Sequence, residues 1–86
     1  MSKTVVININ NNVRVKLTSF GRQQHHRDHV MFWTNAGRVM PYTQPKEDAE
    51  GWSTWQLHSL MEAFGSYMTI GAEKLPFETN IEVVLP

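Results

Sequence analysis

Trp52-Ser53-Thr54-Trp55-Gln56-Leu57-His58-Ser59-Leu60-Met61-Glu62-Ala63-Phe64-Gly65 is the stretch on which the fold turns. Ser53-Thr54-Trp55-Gln56 matches a capping box, in which Ser53 accepts from the backbone N–H of Gln56 and the Gln56 side chain reaches back. Trp52 before the cap and Leu57 at the fourth helical position fit the hydrophobic staple that accompanies it. Leu57, Leu60, Met61 and Phe64 keep the i, i+3, i+4, i+7 spacing of a buried stripe, and Gly65 stands where a left-handed residue ends a helix. The spacing predicts a helix over 53–64. At about 100° per residue, Trp55 then points almost directly away from the stripe, beside Ser59 and Glu62, with His58 on the flank. Two readings of that indole stand open. The 38–51 loop folds over it through Tyr42 or Val39, or it is the centre of a contact surface, since Trp, Tyr and Arg carry most interface energy.

Upstream, Val5, Ile7 and Ile9 alternate with Val6 and Asn8, and Val13, Val15 and Leu17 alternate with Arg14 and Lys16. The run Asn10-Asn11-Asn12 lies between them, and asparagine tolerates positive φ, so the pattern predicts a β-hairpin. Thr18 or Ser19 caps a first helix that Asn35-Ala36-Gly37 stops. Its middle, Arg22 to His29, is polar on every face, and Gly21 costs it about 1 kcal/mol against alanine. Its apolar residues, Val30 to Trp33, gather at the end, with Trp33 assigned to the core. Arg38–Gly51 reads as a long loop, broken by Pro41 and Pro45 and carrying the charged run Lys46–Glu50. Phe77 after Pro76 pins the last loop to the sheet, and Ile81, Val83 and Leu85 mark a final strand. The expectation is one α+β domain over residues 1–86, in the order β-β-α-α-β. It has a three-stranded, mainly antiparallel sheet with two helices packed on one face.

With 86 residues and no cysteine, disulfides, thiolate metal sites and cysteine nucleophiles drop out together. No apolar run reaches the roughly 18 residues of a membrane span, and the Met1–Lys3 start lacks a signal-peptide core, so a soluble intracellular domain is expected. The charge sums to zero but is divided. Residues 1–43 hold six basic residues (Lys3, Arg14, Lys16, Arg22, Arg27, Arg38) against Asp28, net +5. Residues 44–86 hold Lys46 and Lys74 against seven carboxylates (Glu47, Asp48, Glu50, Glu62, Glu73, Glu78, Glu82), net −5. Such halves either neutralise each other on packing or present two opposite surfaces.

His25 and His29 are i, i+4 neighbours on a helix, a zinc-binding spacing, but His26 occupies the place where a zincin motif needs glutamate. Gln24 likewise stands where a metallo-hydrolase loop needs another histidine. A third ligand could come only from His58 on the other helix, so no metal, cofactor or catalytic residue is assigned, and the histidine cluster is a solvated helix face. Beside Arg22 and Arg27 its imidazoles gain charge below about pH 6.5. Ser53 is engaged as a cap, and the carboxylates of the 47–50 run are solvated, which disfavours acid–base catalysis.

Pro45-Lys46-Glu47-Asp48-Ala49-Glu50-Gly51-Trp52, with Trp55-Gln56-Leu57-His58, Leu60-Met61, Phe64-Gly65 and Pro76-Phe77-Glu78, resembles a group of short uncharacterised proteins of tailed bacteriophages and prophages. Val13-Arg14-Val15-Lys16-Leu17-Thr18 before a polar helix is similar too, while Gly21 and the histidine cluster depart from the pattern. The resemblance carries no site residues. It implies a context: a small protein made in the host cytoplasm that binds, and thereby inhibits or modulates, a host defence or nucleic-acid-processing factor. On that reading, without a membrane and as a monomer or small homo-oligomer, the contact residues are Trp55, His58, Glu47, Asp48 and Glu50. The acidic run could also imitate phosphates. The alternative is a nucleic-acid-binding regulator using Arg14, Lys16, Arg22 and Arg27, with affinity that falls steeply in salt. A histidine metal site at His25, His26 and His29 is the remote third.

Overall fold

Val13, Val15 and Leu17 turn one way and are buried while Arg14 and Lys16 turn to the wet side, as a half-buried strand requires. This strand, β1 (Asn12–Lys16), is the middle of the sheet in a computed structural model that describes residues 3–69 and 71–85. Met1, Ser2, Ile70 and Pro86, which include the first two residues of the expected start, lie outside the described residues. Helix α1 (Ser19–Asn35) follows, then strand β2 (Trp52–Gln56), helix α2 (Leu57–Phe64), a 3-10 turn (Gly65–Tyr67) and the short strand β3 (Glu82–Val83). The sheet is three-stranded and antiparallel in the order β2-β1-β3. The α+β class and the three-stranded sheet with two helices therefore stand, and the chain order is β-α-β-α-β.

The difference lies in what pairs with β1. The expected hairpin partner, Val5–Ile9, forms no strand; β2 and β3 occupy the two edges of β1 instead. Val13 faces Trp55 and Val15 faces Ser53, pairing an indole with a β-branched side chain and placing small Ser53 opposite a buried valine. The asparagine run works as a helix cap. The backbone N–H groups of Leu57 and His58 donate to the carbonyls of Asn11 and Ile9 at 3.0 Å each, so two of the orphan donors of α2 are met by a distant piece of chain. The turn that presents those carbonyls is tied by Asn side chains: Asn8 N–H to Asn11 Oδ1 at 2.6 Å and Asn10 N–H to Asn8 Oδ1 at 2.8 Å.

Residues 53–56 are therefore extended, which corrects the capping-box reading. Gln56 is the N-cap of α2 and makes no side-chain cap, while Ser53 Oγ accepts from the Trp55 indole at 2.8 Å. Leu60 and Phe64 are buried as the stripe predicts, but Met61 is 52% exposed. Gly65 has φ −56° and continues into the 3-10 turn rather than the left-handed conformation.

Helix α1 obeys its end signals. Thr18 Oγ accepts from Gly21 N–H at 3.1 Å, and Gly37 follows the helix with φ 73°. Gly21 is buried because the helix here lies against the chain at Pro76: a Cβ at this position would come within 1.8 Å of the Pro76 carbonyl oxygen. The glycine thus serves close approach, with Thr18 N–H donating to that same oxygen at 3.0 Å. The core comprises Val13, Val15, Leu17, Leu60, Phe64 and Phe77, with Trp55 packed against it, and both helices lie on this one face. Phe77 bridges to Leu17 and meets Phe64 edge-on at 6.1 Å, holding the last loop to the sheet. Trp33 is half-buried against Phe32 and His29, outside the core, and Val30, Met31 and Phe32 are exposed.

Candidate functional site

Strand alternation sends Ser53 and Trp55 toward the helices and Trp52 and Thr54 toward the other face, so the two tryptophans part. Trp55 does not point outward from a helix. It is half-buried, with its ring edge-on to Phe64 at 5.5 Å and to His25 at 5.6 Å. Trp52 is no staple; it lies on the open face of the sheet with the Arg14 guanidinium 5.3 Å and the Lys16 ammonium 5.1 Å from its ring centre.

The 38–51 segment is held by the histidines that were expected to be a solvated face. Tyr42 stacks on His26 at 4.4 Å, meets His29 edge-on at 5.2 Å, and has its hydroxyl 2.6 Å from His25 Nδ1. His29 Nε2 lies 3.1 Å from the Met40 carbonyl. Adjacent His25 and His26, with His29 one turn on, thus clasp one tyrosine, and among the described residues no cluster of three or more His, Cys, Asp or Glu is placed to hold a metal ion. Burial pushes the His25 imidazole below its ordinary value and the Tyr42 hydroxyl above its own.

The far end of the segment is fixed by Asp48. Its Oδ1 accepts from the N–H groups of Glu50 and Trp52 at 2.9 Å each, and its own N–H donates to the Trp52 carbonyl at 2.9 Å. Those donors, the Trp52 N–H foremost, hold the Asp48 carboxyl below the usual carboxylate range, with the Arg14 charge adding to the effect.

Between the clasped segment and β2 lies an open cleft of about 650 Å³. Trp55, Trp52 and Pro45 supply its apolar lining, His25 its inner wall, and Glu47, Asp48 and Arg14 its rim. The structure therefore gathers Trp55, Glu47 and Asp48 from the expected contact set. His58 is elsewhere, at the start of α2 with Nε2 3.1 Å from Gln56 Oε1, and the Glu50 side chain is not part of the lining. Pro45, at the start of the acidic loop expected to make contact, joins Trp55, Glu47 and Asp48, while His25 and Trp52 were missed as site residues. Of these two only Trp52 had a signal, as the apolar neighbour of a charged run; nothing local places His25 there.

The basic set does not form one patch. Arg14 pairs with Asp48 at 3.3 Å and Glu82 at 3.2 Å, and Arg22 grips both oxygens of Glu47 at 2.7 and 3.1 Å. That fork lowers the Glu47 carboxyl and raises the Arg22 guanidinium. Each of these three ion pairs joins the basic half of the chain to the acidic half, so the opposite charges neutralise each other on packing. Lys16 lies over Trp52, and Arg27 stands on the exposed side of α1. Comparison with protein-family models, curated proteins and solved structures finds no match. Among the described residues no helix is long and apolar enough to cross a membrane.

The histidine clasp has a pH signature. Because burial lowers the folded-state pKa of His25, the neutral ring is favoured in the fold, and its contribution is complete above the unfolded value of 6.5. It is lost as pH falls below 6.5 toward the lower folded value; the charge of His29 adds to the loss and that of Asp28 opposes it. Thermal unfolding followed by circular dichroism should show a falling midpoint from pH 7.5 toward pH 5.5, with a shallower fall in His25→Gln. An equal slope in both chains would remove His25 as the cause.

Proposed function

We propose that this chain is a non-enzymatic, protein-binding domain, an accessory protein of a tailed phage that occupies a host factor in the host cytoplasm. The observation that carries the reading is the cleft between the 43–48 segment and β2, with two indoles and a proline on its walls and a rim of mutually paired charges. A concave apolar lining with oriented polar groups suits an uncharged side-chain cluster of another protein. Polyphosphate binding draws on unpaired cations, and Arg14 and Arg22 both hold carboxylates, so the geometry favours a protein over nucleic acid. The same pairing counts against phosphate mimicry by the 47–50 run, since Glu47 and Asp48 face arginines of their own chain.

The test uses a cleft variant that leaves the core alone. Thr43 is exposed and lines the cleft, so Thr43→Arg should fold as the parent does while filling the mouth with a charged chain. Host proteins captured by the parent are identified by mass spectrometry, and the same capture is repeated with Thr43→Arg and with Glu62→Arg, an exposed α2 position outside the cleft lining. Loss with Thr43→Arg and retention with Glu62→Arg is the expected pattern. Equal capture by both variants would discard the cleft. Capture that collapses as salt is raised and is released by nuclease would favour the nucleic-acid reading instead.

A further inference from the structure

The segment Thr4-Val5-Val6-Ile7 is a run of β-branched residues with strand character, yet it lies outside every strand, because β2 and β3 fill both edges of β1. Val5 is 69% and Val6 96% exposed, and among the described residues no backbone group of residues 3–7 is hydrogen-bonded. The radius of gyration is 14.6 Å, against about 12 Å for a compact chain of this length.

The same molecule carries an unpaired sheet edge. The Asn11 carbonyl is directed to Leu57 on the β2 side and the Asn12 carbonyl to Val84 on the β3 side, so odd-numbered residues of β1 bond toward β2. Trp55 and Ser53, opposite Val13 and Val15, take those bonds, and the N–H and C=O groups of Trp52 and Thr54 face outward with the N–H of Gln56, whose carbonyl is the cap acceptor of α2. Asp48 covers those of Trp52, which leaves open both backbone groups of Thr54 and the Gln56 N–H. An open edge beside an unpaired arm of β-formers is a self-complementary pair of surfaces.

We infer that two copies of this chain associate by exchanging arms, residues 3–7 of each adding as a strand to the β2 edge of the other. The length fits: five extended residues reach about 17 Å, enough to run along the open part of β2 at Thr54 and Gln56. Charge fits as well. The arm's one charge is Lys3, and the segment bordering the edge carries Glu47, Asp48 and Glu50, of which Glu50 has no ion pair among the described residues. Mutual exchange closes a two-fold dimer with no free arm. The inference rests on the edge and the arm; because Thr54 also lines the cleft, a docked arm and a partner seated in the cleft would compete for this side of β2.

The absence of cysteine makes the test direct. Val6→Cys and Thr54→Cys chains are mixed and allowed to oxidise. The expected product is the mixed disulfide dimer, in excess over either like-with-like dimer. A predominance of Thr54→Cys self-dimers would mean edge-to-edge pairing and overturn the exchange. So would an internal disulfide in a monomer of the doubly substituted chain, which would mean the arm covers its own edge. Sedimentation of the uncrosslinked protein should show a monomer–dimer equilibrium, weakened at least about tenfold by Val6→Lys, a change at a fully exposed position. A monomer at every concentration, or a dimer unaffected by Val6→Lys, would also overturn it. A Val6→Lys monomer that still captures a host protein would separate this result from the cleft reading.

Discussion

Gly21→Ala is expected to destabilise the fold by about 3 kcal/mol, although helix propensity alone would make the same change stabilising by about 1 kcal/mol. Gly21 is buried where α1 lies against Pro76, and the added methyl would meet that carbonyl oxygen at 1.8 Å, with the carbonyl carbon at 2.7 Å. Neither side can yield cheaply. The obstacle is backbone rather than a flexible side-chain end, and its oxygen accepts the Thr18 N–H. Thr18 in turn caps the helix through Gly21 and donates its hydroxyl to the Leu75 carbonyl, so moving α1 away breaks both Thr18 bonds to residues 75 and 76 together. In a domain this small each kcal/mol shifts the melting temperature by about 4–8 °C, so a fall of about 12 °C or more is expected. A Gly21→Ala chain that melts higher than the parent would show that helix and loop do not touch here.

Phe64→Ala should be at least as damaging, at about 3–5 kcal/mol. Phe64 is fully buried at the end of α2 and joins three elements through its ring: Trp55 of β2 at 5.5 Å, His25 of α1 at 6.0 Å and Phe77 of the last loop at 6.1 Å. Truncation removes its own burial and leaves a cavity that none of three separately anchored neighbours can close. Because Trp55 and His25 also wall the cleft, the loss should reach the candidate site. Urea unfolding should give a lower midpoint, and indole fluorescence of the folded chain should shift to the red as water reaches Trp55. Met61→Ala, one turn earlier but half exposed, is the control and should cost well under half as much. Equal costs at 61 and 64 would mean that the helix presents a different face to the core.

The elements legible in the sequence are those whose cause is local. Val13-Arg14-Val15-Lys16-Leu17 alternates because one side of that strand is dry, and Thr18 and Gly37 mark the ends of α1 by capping chemistry that needs only neighbours. The Leu60 and Phe64 stripe is of the same kind. The candidate site was legible in part, since Trp55, Glu47 and Asp48 do line one cleft, but the reason offered for Trp55, an outward helical position, does not hold.

Tertiary structure alone settled residues 52–56. Ser53-Thr54-Trp55-Gln56 satisfies a helix-capping pattern and a short strand equally well, and pairing with β1 selects the strand by burying Ser53 and Trp55 against Val15 and Val13. The helix start then needs no serine, because the carbonyls of Ile9 and Asn11 reach its first donors from more than forty residues away in the chain. That exchange displaced the Val5–Ile9 strand, turned Trp52 to the open face and brought the tyrosine clasp and the arginine–carboxylate pairs together. Period and capping are properties of neighbours, so sequence alone determines them; which strand lies beside β1 depends on contacts between distant segments, which no local pattern encodes.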